Sequence, residues 1–194
     1  MTQVSLVPIL LWVAALACAG IAIWREPRPV LPSFAVDRLL RYVLLFPLGV
    51  QGLWAFIGHV FFPQQSAASI GWATSPFQYE VGVANLGLGL ACIYTAFKGF
   101  EARVAAGILA ACFLFGAGIG HVRDIVTAGN LAPGNAGPIM LTDFLTPIAV
   151  FALLFFASDK WPKSAATLAL EAELDIARKA MRDYRQALSQ LGKD

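Results

Sequence analysis

Only two histidines occur in the 194 residues, His59 and His121, and each stands near the end of an apolar run. Acids gather at the same level: Glu80, Asp124 and Asp143, with Arg123 beside them. His121 and Asp124 are three residues apart, a spacing that puts both side chains on one helix face. Imidazole mixed with carboxylate suits a divalent transition metal, whereas carboxylates alone would suit calcium or magnesium. The metal set read from the sequence is therefore His59, Glu80, His121, Asp124 and Asp143. The same groups also make a proton relay or the polar end of an organic-ligand site. The plain structural alternative is an ion-pair network in which Arg123 offsets an acid, with Glu80 and Asp143 favoured by helix N-termini.

Supporting groups stand close by. Asn85 interrupts an apolar run, and an amide in lipid needs a hydrogen-bond partner. Residues 129–138 read Gly-Asn-Leu-Ala-Pro-Gly-Asn-Ala-Gly-Pro, a turn-rich stretch without charge. Its Asn130 and Asn135 are candidates to fold back over the cluster as a lid. No nucleophile–base pair and no haem-attachment motif accompanies these residues. The spacing is weaker than that of a His-Glu-x-x-His zinc helix.

The elements that carry these residues belong to a membrane. The chain is 58% hydrophobic and only 13% charged, about half the charge a soluble globular chain carries. A water-soluble monomer and a disordered chain are both excluded. A net charge of +2 gives no reason to expect nucleic acid. Cys18, Cys92 and Cys112 all lie in apolar runs without metal or disulfide spacing, and read as small fillers.

Five stretches approach the ~20 apolar residues a spanning helix needs: 5–24, 39–62, 79–97, 104–122 and 139–158. The first lacks a basic n-region and reads as a retained span. Thirteen of the fourteen basic residues fall in the regions after spans one, three and five, which alternate onto one side. Only Arg123 falls on the other. By the positive-inside rule the N-terminus is outside and the C-terminus inside. Trp24, Tyr42, Trp72 and Trp161 suit interfacial anchors. Pro47 and Pro147 are expected to kink their helices. Ala102, Ala106 and Ala110 form one ridge, and Gly116 with Gly120 a Gly-x-x-x-Gly pair. Both favour close helix approach, within the chain's own bundle or across a dimer seam.

Beyond residue 158 the composition changes. Thr167, Leu170, Leu174, Ala177, Met181, Tyr184, Leu188 and Leu191 alternate at spacings of three and four, a heptad seam. The tail (159–194) reads as a cytoplasmic coiled coil or an amphipathic helix docked on the membrane.

The blocks Gly58-His59, Phe77 to Leu86 (Phe-Gln-Tyr-Glu-Val-Gly-Val-Ala-Asn-Leu), Gly120-His121, the 129–138 loop and Asp143 resemble a family of small prokaryotic multi-spanning membrane proteins of unknown function. The likeness covers about residues 51–156. It implies a bacterial-type inner membrane, and no reaction or ligand.

The sequence therefore predicts an all-α polytopic bundle of five transmembrane helices (1–158) with a helical tail (159–194). The expected function is an outward pocket that binds a metal ion or small ligand, in a transporter or accessory subunit. A redox enzyme using the same pocket with a metal or quinone is the second reading. A scaffold that oligomerises through the tail is the third. Membrane lipid, further copies of the chain and a protein bound by the tail are the expected partners.

Overall fold

The structure is a computed structural model that describes residues 5–158 and 165–191. It divides into two compact units, Met1–Ser158 and Asp159–Asp194. Among the described residues there is no strand.

The first unit opens with α1 (Val7–Arg25), which has Pro8 in its first turn, where a missing N–H leaves no helical bond unmade. Next come α2 (Pro32–Val43), a π-helical segment (Leu44–Val50) and α3 (Gln51–Phe61), which run on as one span of 30 residues. The expected kink at Pro47 takes the form of this π segment, because proline cannot donate the i→i−4 bond and the chain widens around it. A short helix, α4 (Pro63–Ile70), follows and ends at Gly71 in the left-handed region (φ 82°). It lies between the expected spans 39–62 and 79–97. Then come α5 (Phe77–Thr95), α6 (Phe100–Ala128) and α7 (Pro138–Ala157).

Four of these elements are long and apolar enough to cross a membrane: α1, the α2–α3 span, α6 and α7. This is a membrane protein. The fifth expected span, α5, has the length but carries Gln78, Glu80 and Asn85, and falls short in apolarity. It packs most extensively against α3. The contact runs through glycine: a Cβ on Gly52 would stand 2.8 Å from both the Asn85 carbonyl oxygen and the Gly89 Cα. Backbone touches backbone here, as small residues allow in lipid. The core below is Leu40, Val43, Leu44 and Leu48 against Leu88, Cys92, Ala106 and Val150.

Two helix-packing expectations separate. Ala106 and Ala110 are buried in that core, while Gly116 and Gly120 face open space with nothing within 4 Å of an added Cβ. Helix α6 also continues to Ala128, so His121, Arg123 and Asp124 lie within it rather than at its end.

In the second unit α8 (Ala165–Leu191) is one uninterrupted helix of 27 residues. Leu170 and Leu174 are half-buried, while Met181, Tyr184 and Leu188 are exposed. Lys160, Trp161, Lys163 and Lys193 lie outside the described residues, as does the Thr167 side chain.

Candidate functional site

Helices α3, α5, α6 and α7 bring their polar residues around a cavity of about 530 Å³. Its wall is mostly apolar (Pro47, Leu48, Trp54, Leu88, Phe113 and Leu114 among others), interrupted by Gln51, His59, Ser66, Asn85, His121 and Asp143. Three of the five residues read as ligands, His59, His121 and Asp143, thus line one space. Gly134 of the 129–138 loop lines it as well.

The loop is fastened by its two asparagines. Asn135 has no exposed surface. Its Nδ2–H group donates to the carbonyls of Asn130 (2.8 Å) and His121 (3.4 Å). With the amide nitrogen committed to two carbonyls, Oδ1 must face the His121 ring. The His121 Nδ1–H donates to it at 2.7 Å, which assigns the proton of the neutral ring to Nδ1. Nε2 is left turned toward Asp143, 3.6 Å from its Oδ2. His121 is 7% exposed and Asp143 3%.

Asn130 closes the other side. Its Nδ2 donates to the Ile70 carbonyl (2.8 Å) and to Asp124 Oδ2 (2.6 Å), and its Oδ1 accepts from the Ala132 N–H (3.0 Å). Trp72 Nε1–H donates to the same Asp124 oxygen at 3.0 Å, and its ring stacks over His121 with centroids 6.2 Å apart. Gly71 makes room for this: a Cβ there would stand 2.6 Å from Asn130 Oδ1. A continuous hydrogen-bonded chain results, from Trp72 through Asp124, Asn130 and Asn135 to His121. At the mouth of α5, the His59 Nδ1–H donates to Gln78 Oε1, and Gln78 is itself buried.

The remaining candidates are placed elsewhere. Among the described residues no three His, Cys, Asp or Glu side chains are grouped so as to hold a metal. Asp124 is committed to Trp72 and Asn130, outside the cavity wall. Glu80 is exposed in the first turn of α5, where an acid favours the helix dipole. Arg123 is exposed and makes no ion pair among the described residues. Asn85 finds its partner within its own helix. Its Nδ2 donates to the Val81 carbonyl one turn back, at 2.8 Å.

The sequence reading missed Gln51, Gln78 and Trp72 as site residues. Two cavity-lining side chains keep an unspent acceptor: Gln51 Oε1 and Asp143 Oδ2 are buried with no hydrogen-bond partner among the described residues. Pro147 adds to this, since it cannot donate to the Asp143 carbonyl four residues back.

A family described as of unknown function, DUF6790, matches residues 5–163, and the chain belongs to it. The match reaches the first helix, which the resemblance read from motifs had left outside. No curated protein and no solved structure matches the chain.

Proposed function

We propose that this member of the DUF6790 family binds a small, largely apolar organic molecule carrying hydrogen-bond donors, in the cavity between α3, α5, α6 and α7. The observation that carries this reading is the pair of unspent acceptors, Gln51 Oε1 and Asp143 Oδ2, in the wall of one apolar cavity. Ligand sites are usually apolar clefts of about 300–1,000 Å³ with a few placed polar groups. A buried acceptor without a donor costs about 1–3 kcal/mol, so a bound hydroxyl or amine would offset a standing cost. A quinol, an apolar ring carrying hydroxyl donors, is a class that suits such acceptors in an apolar wall. An organic ligand is favoured over a metal ion because, among the described residues, no three His, Cys, Asp or Glu side chains are grouped so as to hold one. The His121–Asp143 contact gives a redox enzyme acting on such a ligand its support as the second reading.

The test uses the full chain purified in detergent. A short-chain quinol should bind, and Gln51→Leu should weaken it at least about tenfold, or ~1.4 kcal/mol, without lowering the melting temperature. A substitution that removes an unpaired buried acceptor does not destabilise the fold. Unchanged affinity in Gln51→Leu, or a stoichiometric metal with no organic molecule in the solvent extract, would overturn the proposal.

The membrane arrangement proposed with it has five spans including α5, the N-terminus outside and the C-terminus inside, in a prokaryotic inner membrane. A cysteine at Ser69 should then react with a membrane-impermeant maleimide on intact cells. Protection of that position until the cells are opened would sink this topology. The exposed Met181, Tyr184 and Leu188 of the α8 seam support association into a homo-oligomer or capture of a protein partner.

A further inference from the structure

Toward the opposite end of the same helices from His59, a second polar cluster is built around Asp37. Residues 37 and 59 are 22 apart along one helical span, about 33 Å at 1.5 Å per residue. In the sequence the basic residues here are topology signals, and Arg103 stands just before the expected fourth span, 104–122. Arg103 instead lies in the first turn of α6 and is 6% exposed. Its Nη1 donates to Asp37 Oδ1 at 2.7 Å and its Nη2 to the Ala96 carbonyl at the C-terminal end of α5 at 3.0 Å.

That leaves one carboxylate oxygen for two more guanidinium groups. Arg38 and Arg41 both reach Asp37 Oδ2, at 3.3 and 3.4 Å. Three cations thus share one anion. The Nε atoms of Arg38, Arg41 and Arg103 are all buried with no partner among the described residues. Arg38 and Arg41 stand three apart on α2, so their like charges share a face. Each is also held against a ring: Arg38 lies 4.6 Å over Phe34, and Arg41 5.7 Å from the Phe97 centroid. Their side chains keep 24% exposure each, so an incoming group can reach them while Arg103 stays enclosed.

We propose that Arg38 and Arg41, braced by the Asp37–Arg103 pair, form a seat for a phosphate-class oxyanion at this end of the bundle. A planar guanidinium presents paired N–H donors that match phosphate oxygens. Two of them on one helix face, with positive charge in surplus over the single Asp37 carboxylate, are complementary to an anionic phosphate group. A phospholipid headgroup and free phosphate share this chemistry, and basic pockets among membrane helices are known to take the first. The site is independent of the cavity and of its ligand.

Native mass spectrometry of the full chain in detergent, with equal amounts of phosphatidylglycerol and phosphatidylcholine, separates the sources. If a headgroup fills the seat, phosphatidylglycerol is retained at least fivefold more often than phosphatidylcholine. If a free anion fills it, millimolar inorganic phosphate raises the melting temperature and no lipid preference appears. In either case the Arg38→Gln/Arg41→Gln variant, which leaves the Asp37–Arg103 pair intact, should lose the effect. The wild-type lipid preference and melting shift stand as readouts even where that variant fails to fold. Wild-type protein with neither effect, or a folded double variant that keeps the effect in full, overturns the proposal.

Discussion

Replacing Gly52 with valine is expected to cut the yield of folded, monodisperse protein to below about a tenth of wild type. The physical reason is a contact that cannot yield. The first added carbon would lie 2.8 Å from the Asn85 carbonyl oxygen and from the Gly89 Cα, and both are backbone atoms inside α5. No rotamer change relieves that, so α3 and α5 must separate. Overpacking typically costs about 1–3 kcal/mol where side chains can move, and more where backbones must shift. Gly116→Val is the control: with nothing within 4 Å of its added Cβ, it should behave like wild type in size-exclusion chromatography and thermal melting. Equal yields for the two variants would mean that α3 and α5 do not meet through this seam.

Asn135→Ala is expected to lower the melting temperature by about 10 °C. The side chain donates to two carbonyls and accepts from a ring N–H, all in a fully buried site. Truncation leaves the His121 Nδ1–H and the Asn130 carbonyl facing an emptied space. Each stranded buried group costs about 1–3 kcal/mol, and the sum of about 3–5 kcal/mol is at the upper end for a single substitution. For a chain of this size each kcal/mol moves the midpoint by about 2–4 °C. Asn85→Ala should cost far less, because Asn85 Nδ2 bonds to the Val81 carbonyl of its own helix. A comparison of the two midpoints checks this, and similar losses would contradict the role assigned to the loop.

How far the sequence could be read depended on what each residue type advertises. The spans with α1, α3, α6 and α7 were legible, since a long apolar run has few other destinations. Helix α4 was not, because eight residues between Phe62 and Gly71 carry no apolar stripe long enough to declare a helix. His59, His121 and Asp143 stood out because ionisable residues are scarce inside apolar runs, and the structure brings these three to one cavity. Glu80 is an acid of the same scarcity, yet it sits at a helix start in the open, so rarity alone does not distinguish a turned-in side chain from a capping charge. Gln51, Gln78 and Trp72 escaped because uncharged polar groups in apolar runs have no periodic signature. Arg103 escaped for a different reason. Read as one more basic residue setting orientation, it gave no sign of its partner Asp37, 66 positions away.

The π segment at Leu44–Val50 works as a phase setter for everything that follows it. Each residue of an α-helix turns the chain by about 100°, so the extra residue held in a wide turn changes which way every later side chain points. Gln51 and His59 reach the cavity, and Gly49 and Gly52 reach α5, only in the phase that this wide turn leaves behind. Pro47 sits inside it and blocks the ordinary bond pattern, so the offset is a fixed part of the helix. The angular alignment of the cavity with the glycine seam is therefore stored seven residues wide, in a stretch that contains no polar side chain.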